Sequence, residues 1–307
     1  VYQFELLVLF LSVHPAHKFL FSFVFFFPSP LILPEMSLFI SSINSGSNGN
    51  CYYIGNSSDA VLIDVGLSCR EIDKRMLRSG LSMDKVRAIF ISHEHIDHIR
   101  GVEALSKKYN LPVYINEGTY ENGRVKLKEE LVHSFCDGEQ LKIRSLNVFP
   151  FFKSHDAADP YSFSVECDGV RVGVFTDIGS VCEKLIAHFA QCHAAFLEAN
   201  YDEEMLANGS YPAYLKTRIS GEKGHLSNAQ ALELFVNYRS PQLSHLILAH
   251  LSKENNTPGL VQQLFEENAN GVSITVASRQ EESPVFRIGK NGSEKVLAEI
   301  GQLSLGI

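Results

Sequence analysis

Ser92-His93-Glu94-His95-Ile96-Asp97-His98 places three imidazoles and the carboxylate of Asp97 within six residues. The run before it, Val86 to Ile91, ends in three apolar residues and reads as a buried strand. The end of a buried strand is a rigid platform, which metal-ligating side chains need. Neutral imidazole combined with carboxylate suits zinc, manganese or iron better than calcium or magnesium. In a turn leaving a strand, residues two apart point to one side. His93 and His95 can therefore share one ion, while Asp97 and His98 on the next bend reach a second.

Working outward, other apolar runs deliver chemistry-bearing residues in the same way. Leu146 to Lys153 leads to His155, in the context Lys153-Ser154-His155-Asp156-Ala157-Ala158-Asp159-Pro160. His155 is expected to complete the first ion's ligand set. Tyr161 to Cys167 and Val170 to Thr176 flank Asp168-Gly169, a preferred two-residue hairpin turn. Asp177 follows, as a ligand or as the cap of a following helix. Ser244 to Ala249 leads to His250. His93, His155, Asp177 and His250 all sit just past strand-like runs, a pattern that chance placement does not readily give.

The helices are announced by their caps. Ser68-Cys69-Arg70-Glu71 reads as a capping box opening a helix with Ile72, Met76 and Leu77 on one face and Gly80 at its end. Ser227 and Gln230 form another, opening a helix to about Arg239 with Ala231, Leu234, Phe235 and Tyr238 inward. His225 lies at that N-terminus, where the dipole and free N–H groups favour anions. Thr257-Pro258 starts the last helix. Residues 207–224 show no clear element but mix basic and aromatic side chains, and residues 117–131 read as a solvated face. Lys216, Arg218 and Lys223 are candidate phosphate contacts. Ser47 and Asn48, in the turn-rich loop Asn44 to Asn50, are candidate substrate contacts.

The 307 residues suit one large domain or two small ones. A net charge of −8 argues against coating nucleic acid by bulk charge and leaves room for a local basic groove. The six cysteines are scattered with no C-x-x-C pair, which fits a reducing cytoplasm rather than a disulfide framework. Residues 1–35 are apolar and broken by Pro15, Pro28, Pro30 and Pro34. They match neither a secretory signal nor a membrane span of about 20 residues, so no stable membrane association is expected. The expected layout is an extension over 1–35 outside the fold with Met36 as the start, a domain over 36–290, and a loosely held polar tail over 291–307.

The H-x-H-x-D-H motif resembles the signature of the metallo-β-lactamase superfamily. More specific runs resemble its YycJ/WalJ-like branch: Ser-Gly-Ser-Asn-Gly-Asn at 45–50, the His155 context, Gly-His-Leu-Ser-Asn at 224–228, and His-Leu-Ser-Lys-Glu-Asn-Asn-Thr-Pro at 250–258. The resemblance covers about Leu38 to Ile288. It implies a single-domain α/β fold, a four-layer α/β/β/α sandwich with a dinuclear site at one edge. It further implies that Asp177 bridges the ions, that His250 joins Asp97 and His98, and that Asp64 supports the histidine loop by hydrogen bonds. The expected cofactors are two divalent ions, zinc first, with manganese or iron as substitutes.

Two such ions about 3.5–4 Å apart can share a hydroxide and polarise the bond it attacks. Asp97 and His225 are the candidate catalytic groups. His225 precedes His250 by 25 residues, much as in tRNA 3′-processing nucleases, where such a histidine protonates the leaving group. By resemblance the branch is nuclease-like, which implies a nucleic-acid substrate, DNA before RNA. A thioesterase of the glyoxalase II type is the alternative within the fold, and a non-catalytic metal-binding regulator the alternative outside it.

Overall fold

The computed structural model describes residues 37–296, so the extension expected over 1–35 lies outside the described residues. The first six strands are β1 (Leu38–Asn44), β2 (Cys51–Gly55), β3 (Ala60–Ile63), β4 (Val86–Phe90), β5 (Val113–Tyr114) and β6 (Val132–His133). The next seven are β7 (Leu141–Ile143), β8 (Leu146–Phe152), β9 (Tyr161–Cys167), β10 (Val170–Phe175), β11 (Ala194–Glu198), β12 (His245–Ala249) and β13 (Ser273–Val276). β14 (Val285–Gly289) and β15 (Gly292–Val296) end the described chain. One sheet has the order β15-β14-β1-β2-β3-β4-β5-β6, the other β13-β12-β11-β10-β9-β8-β7.

Side-chain alternation explains why so many strands read as unbroken apolar runs: both faces are covered. In β3, Val61 and Ile63 enter the core between the sheets, while Ala60 and Leu62 face the helices outside. In β11, Ala194 and Phe196 face the inter-sheet core, and Ala195 and Leu197 the opposite layer. Helices α1 (Cys69–Arg78), α2 (Ile96–Ile99), α3 (Val102–Tyr109) and α4 (Glu117–Gly123) follow strands of the first sheet. Helices α5 (Glu183–Phe189), α6 (Glu203–Asn208), α7 (Ala213–Ser220), α8 (Asn228–Tyr238) and α9 (Pro258–Glu266) follow the second. Ile72 and Met76 of α1 and Leu105 of α3 pack on the first sheet. Phe189, Phe235 and Phe265 of α5, α8 and α9 pack on the second. This is the expected α/β/β/α sandwich. No helix among the described residues is long and apolar enough to cross a membrane.

Ser227 with Gln230 forms the full reciprocal capping box, whereas at Ser68 only half of the expected box is present: Ser68 Oγ accepts from the Glu71 N–H, and the Glu71 carboxylate pairs with Arg75 one turn on. Several local expectations need correction. Leu77 is 79% exposed because Ile72 and Met76 define the buried stripe and Leu77 points about 100° away from Met76. Tyr238 is likewise exposed at the end of α8. Residues 203–220, in part read as irregular, hold α6 and α7; α7 buries no residue, so it has no apolar period to detect. The solvated face over 117–131 includes α4. The tail expected from 291 begins instead with β15, paired to β14 across Lys290-Asn291.

β3 to β6 run parallel to one another, as do β10 to β13. The carboxyl ends of each parallel set therefore share an edge. Ligand-bearing loops gather at such edges in α/β sheets.

Candidate metal centre

The loop after β4 is fixed before any cluster forms. Asp64 is fully buried just past β3, with φ of +62°. Its carboxylate accepts from the Ser92 N–H and Ser92 Oγ, both at 2.8 Å, and lies 2.7 Å from His98 Nδ1. Gly66 allows the close approach: a Cβ there would stand 1.7 Å from the Asp97 carbonyl oxygen, which accepts from the Asn50 N–H. Asn50 Nδ2 in turn lies 3.2 Å from Asp97 Oδ2.

On this frame His93 Nε2 and His95 Nδ1 come within 3.0 Å. His155, delivered by β8, joins them; the candidate ligand atoms of these three residues lie within 4.8 Å of one another. Asp97, His98 and His250 make a second group of the same kind. Asp177 stands between the groups. Its oxygens lie 3.3 Å from His98 Nε2, 3.6 Å from His250 Nε2 and 3.8 Å from His155 Nε2. Asp177 caps no helix, since α5 starts only after Cys182. Asp177 and His250 also have left-handed backbones, with φ of +55° and +56°.

The far sides of the rings show which nitrogens are free. His155 Nδ1 lies 3.0 Å from the Gly224 carbonyl oxygen, which only accepts, so Nδ1 carries the proton. Asp64 backs His98 Nδ1, and Glu198 backs His250 Nδ1 at 3.0 Å. Each of these rings turns Nε2 towards Asp177. Outer acceptors of this kind fix the tautomer of metal-binding histidines. His155 Nε2, His250 Nε2 and Asp177 Oδ2 are buried with no hydrogen-bond partner among the described residues. Leaving a buried polar atom unsatisfied costs about 1–3 kcal/mol, and a cation in each of the two groups would satisfy these atoms, with Asp177 facing both. Burial pushes the His155 imidazole down to about 3, keeping it in the neutral form a metal requires. Burial opposes charge on His250, but Asp177, Asp97 and Glu198 outweigh it and raise its pKa. The cluster fits divalent metal binding.

Glu198, at the end of β11, is a residue that sequence reading missed. It is fully buried and accepts from the backbone N–H groups of Asp177, Ile178 and Leu226. It also backs His225 Nδ1 at 2.8 Å. Burial opposes its ionisation, yet His225 and His250 bring its pKa to about 2. His225 is part-exposed and lines a cavity of about 260 Å³ together with His95, Asp97, His155, Asp177 and His250. Ser47, Arg218 and Lys223 line the same cavity. Arg218 Nε donates to Asp156 Oδ2 at 2.8 Å.

Two expected contacts lie elsewhere. Lys216 Nζ is held by the Ala207 carbonyl at 2.7 Å, because that side of α7 faces the end of α6. Asn48 Nδ2 donates to the Arg279 carbonyl, so Asn50 rather than Asn48 carries that loop into the centre. Tyr211, Leu215 and Ile219 add an apolar wall to the cavity that the sequence did not announce.

The model of the beta-lactamase superfamily domain matches residues 59–250. The chain is 33% identical over 246 residues to the exodeoxyribonuclease YycJ of Bacillus anthracis, covering 77% of this chain and 92% of that protein. It is 34% identical over 229 residues to the exodeoxyribonuclease WalJ of Streptococcus pneumoniae, covering 73% and 85%. In three dimensions it resembles the metallo-β-lactamase-fold protein YhfI of Bacillus subtilis, with a TM-score of 0.63 at 15% identity over 82% of this chain and all of that one. The chain belongs to the metallo-β-lactamase superfamily, as a metal-dependent hydrolase of the YycJ/WalJ-like branch.

Proposed function

We propose that this hydrolase is a dinuclear phosphodiesterase, a nuclease that removes nucleotides from the end of a DNA strand. His93, His95 and His155 would hold one ion, and Asp97, His98 and His250 the other, with Asp177 shared. When bound, the ions supply Lewis-acid polarisation of the phosphoryl group and activate water near neutral pH. The observation that carries the reading is the cavity itself, where the imidazole cluster meets Arg218, Lys223 and a histidine backed by a buried carboxylate. The names of the relatives support the same substrate class.

The chain's own residues divide the work. Arg218 and Lys223 bind non-bridging phosphate oxygens, and the phosphate competes with Asp156 for Arg218. Glu198 holds Nδ1 of His225 and leaves Nε2 to face the substrate. Protonated His225 donates that proton to the departing oxygen, so the leaving strand departs as an alcohol. Glu198 stays ionised and stabilises the imidazolium before the transfer. Asp97, steadied by Asn50, keeps its carboxylate aimed at the centre.

The test is to incubate the zinc- or manganese-loaded protein with end-labelled DNA, end-labelled RNA and a glutathione thioester, with and without chelator. Stepwise loss of terminal nucleotides from DNA, abolished by chelator, is expected. Rapid thioester hydrolysis with both nucleic acids left intact would overturn the proposal.

A further inference from the structure

A second basic surface lies on the first sheet's side of the molecule. Arg100, Lys107, Lys126 and Lys128 line a cavity of about 540 Å³ between α3 and the segment 124–131. All four are exposed. Four cations face one lining carboxylate, Glu103, in a chain whose net charge is −8. Glu103 is already engaged, accepting from the Lys126 backbone N–H at 2.8 Å. The side chains of Lys107 and Lys126 form no salt bridge among the described residues, and Lys128 has only Glu130, 3.9 Å away. Leu127 and Leu131 floor the groove, so the cations stand on apolar walls that focus their field.

One end of the groove, Arg100, lies close in the chain to the catalytic cavity. Arg100 follows Asp97 by three residues, about 4.5 Å of rise along a helix. Arg100 Nη1 donates to the Asn48 carbonyl at 2.9 Å, and Asn48 adjoins Ser47 on the cavity rim. Arg279 Nη2 donates to Ser47 Oγ at 3.2 Å and extends the positive path at the same rim.

We propose that this groove binds the phosphodiester backbone of the strand whose end enters the cavity. The inference rests on the nuclease reading and adds to it a track for the uncut part of the substrate. The occupant is a polyanionic strand and not a single phosphate, because four cations are spread along the groove, with Arg100 three residues beyond Asp97. Strand length should therefore raise affinity.

The metal-loaded full chain carrying Lys107→Glu, Lys126→Glu and Lys128→Glu together provides the test. A matched variant with Lys142→Glu, Lys290→Glu and Lys295→Glu, all exposed, carries the same change in net charge. Affinity for a cleavage-resistant phosphorothioate strand is measured against salt concentration, for a long strand and for a dinucleotide. In the groove variant the slope of log affinity against log salt should fall by about 2, three contacts at roughly 0.7 each. The advantage of the long strand should largely disappear. The matched variant should keep both. An unchanged slope and length advantage in the groove variant, while the wild type still binds and cuts DNA, would overturn the groove alone. Equal losses in both variants would reduce the effect to bulk charge and also overturn it. A wild type that neither binds nor cuts nucleic acid would bring down the nuclease reading and the groove together.

Discussion

The first sheet supplies His93, His95, Asp97 and His98 from one loop, and a single carboxylate, Asp64, secures that loop through Ser92 and His98. The second sheet supplies His155, Asp177, His225 and His250 from separate segments. Its organising carboxylate, Glu198, ties the β10 end, the β12 end and the 224–226 turn to one another. One half is thus local in sequence and braced by one carboxylate, with Asn50 holding Asp97 beside it. The other is assembled from distant segments and braced at a hub. The difference teaches that the second half should be more sensitive to a single substitution behind it, although fewer of its residues look remarkable in sequence.

The harshest way to break the comparison is at the residue between the halves. Asp177→Ala removes the oxygen pair that faces His98, His155 and His250, and is expected to lose at least one of two bound metals along with activity. Elemental analysis that finds one tightly held ion in the wild type, unchanged in the variant, would defeat the dinuclear arrangement. His225→Ala should come next. It should keep both metals and lose about 10²–10⁴ in rate on a natural phosphodiester. The loss should be much smaller on a nitrophenyl ester, whose leaving group departs without a proton. Metal loss would make His225 a ligand, and equal losses on both substrates would rule out the acid role.

The two braces can then be compared directly. Replacing partners behind ligands costs about 10–100-fold in metal affinity or activity. Glu198→Gln should share the leaving-group dependence of His225→Ala, because it touches that ring. Asp64→Asn should weaken metal binding without changing it. Identical leaving-group profiles would show that the braces are equivalent. The smallest effect is on acid stability without metal. The Glu198 carboxylate is depressed from an ordinary 4.5 to about 2. A carboxylate depressed in the fold adds stability above its unfolded value, and that contribution disappears as pH falls through this window. The metal-free wild type should therefore lose thermal stability more steeply than Glu198→Gln between about pH 4.5 and 2. Parallel curves would show that Glu198 is not the group responsible.

What the sequence made legible follows the same division. The histidine loop is readable because four side chains and their strand lie within one short segment. His155, Asp177 and His250 are readable because each follows an apolar run. Glu198 is not, since an acidic residue ending such a run looks like any strand leaving the core. Lys153 is similar: it reads as a strand-end lysine, yet it is 2% exposed, with Nζ donating to the Thr176 carbonyl at 2.7 Å. Burial lowers its pKa against the pull of Asp177 and Asp64. Helix α7 escaped because it buries nothing. The sandwich was legible through the family resemblance that the H-x-H-x-D-H motif and the branch-specific runs carry, and β15 was not, because its residues are mostly polar and it pairs along its length with β14.

Asp64, Asp177 and His250 all hold left-handed backbone angles at strand ends. For residues with a Cβ this conformation costs roughly 1–2 kcal/mol each, against a total stability of about 5–15 kcal/mol for a typical domain. Asp64 is held there by its bonds to Ser92 and His98, but Asp177 and His250 carry buried atoms with no partner among the described residues, so selection for heat resistance alone would pull against selection for catalysis at those two positions. A variant library screened only for survival of heating should accumulate glycine or asparagine at 177 and 250. Its hardiest members should be inactive. Laboratory evolution of this protein needs an activity screen in every round, because its most accessible stabilising substitutions dismantle its chemistry.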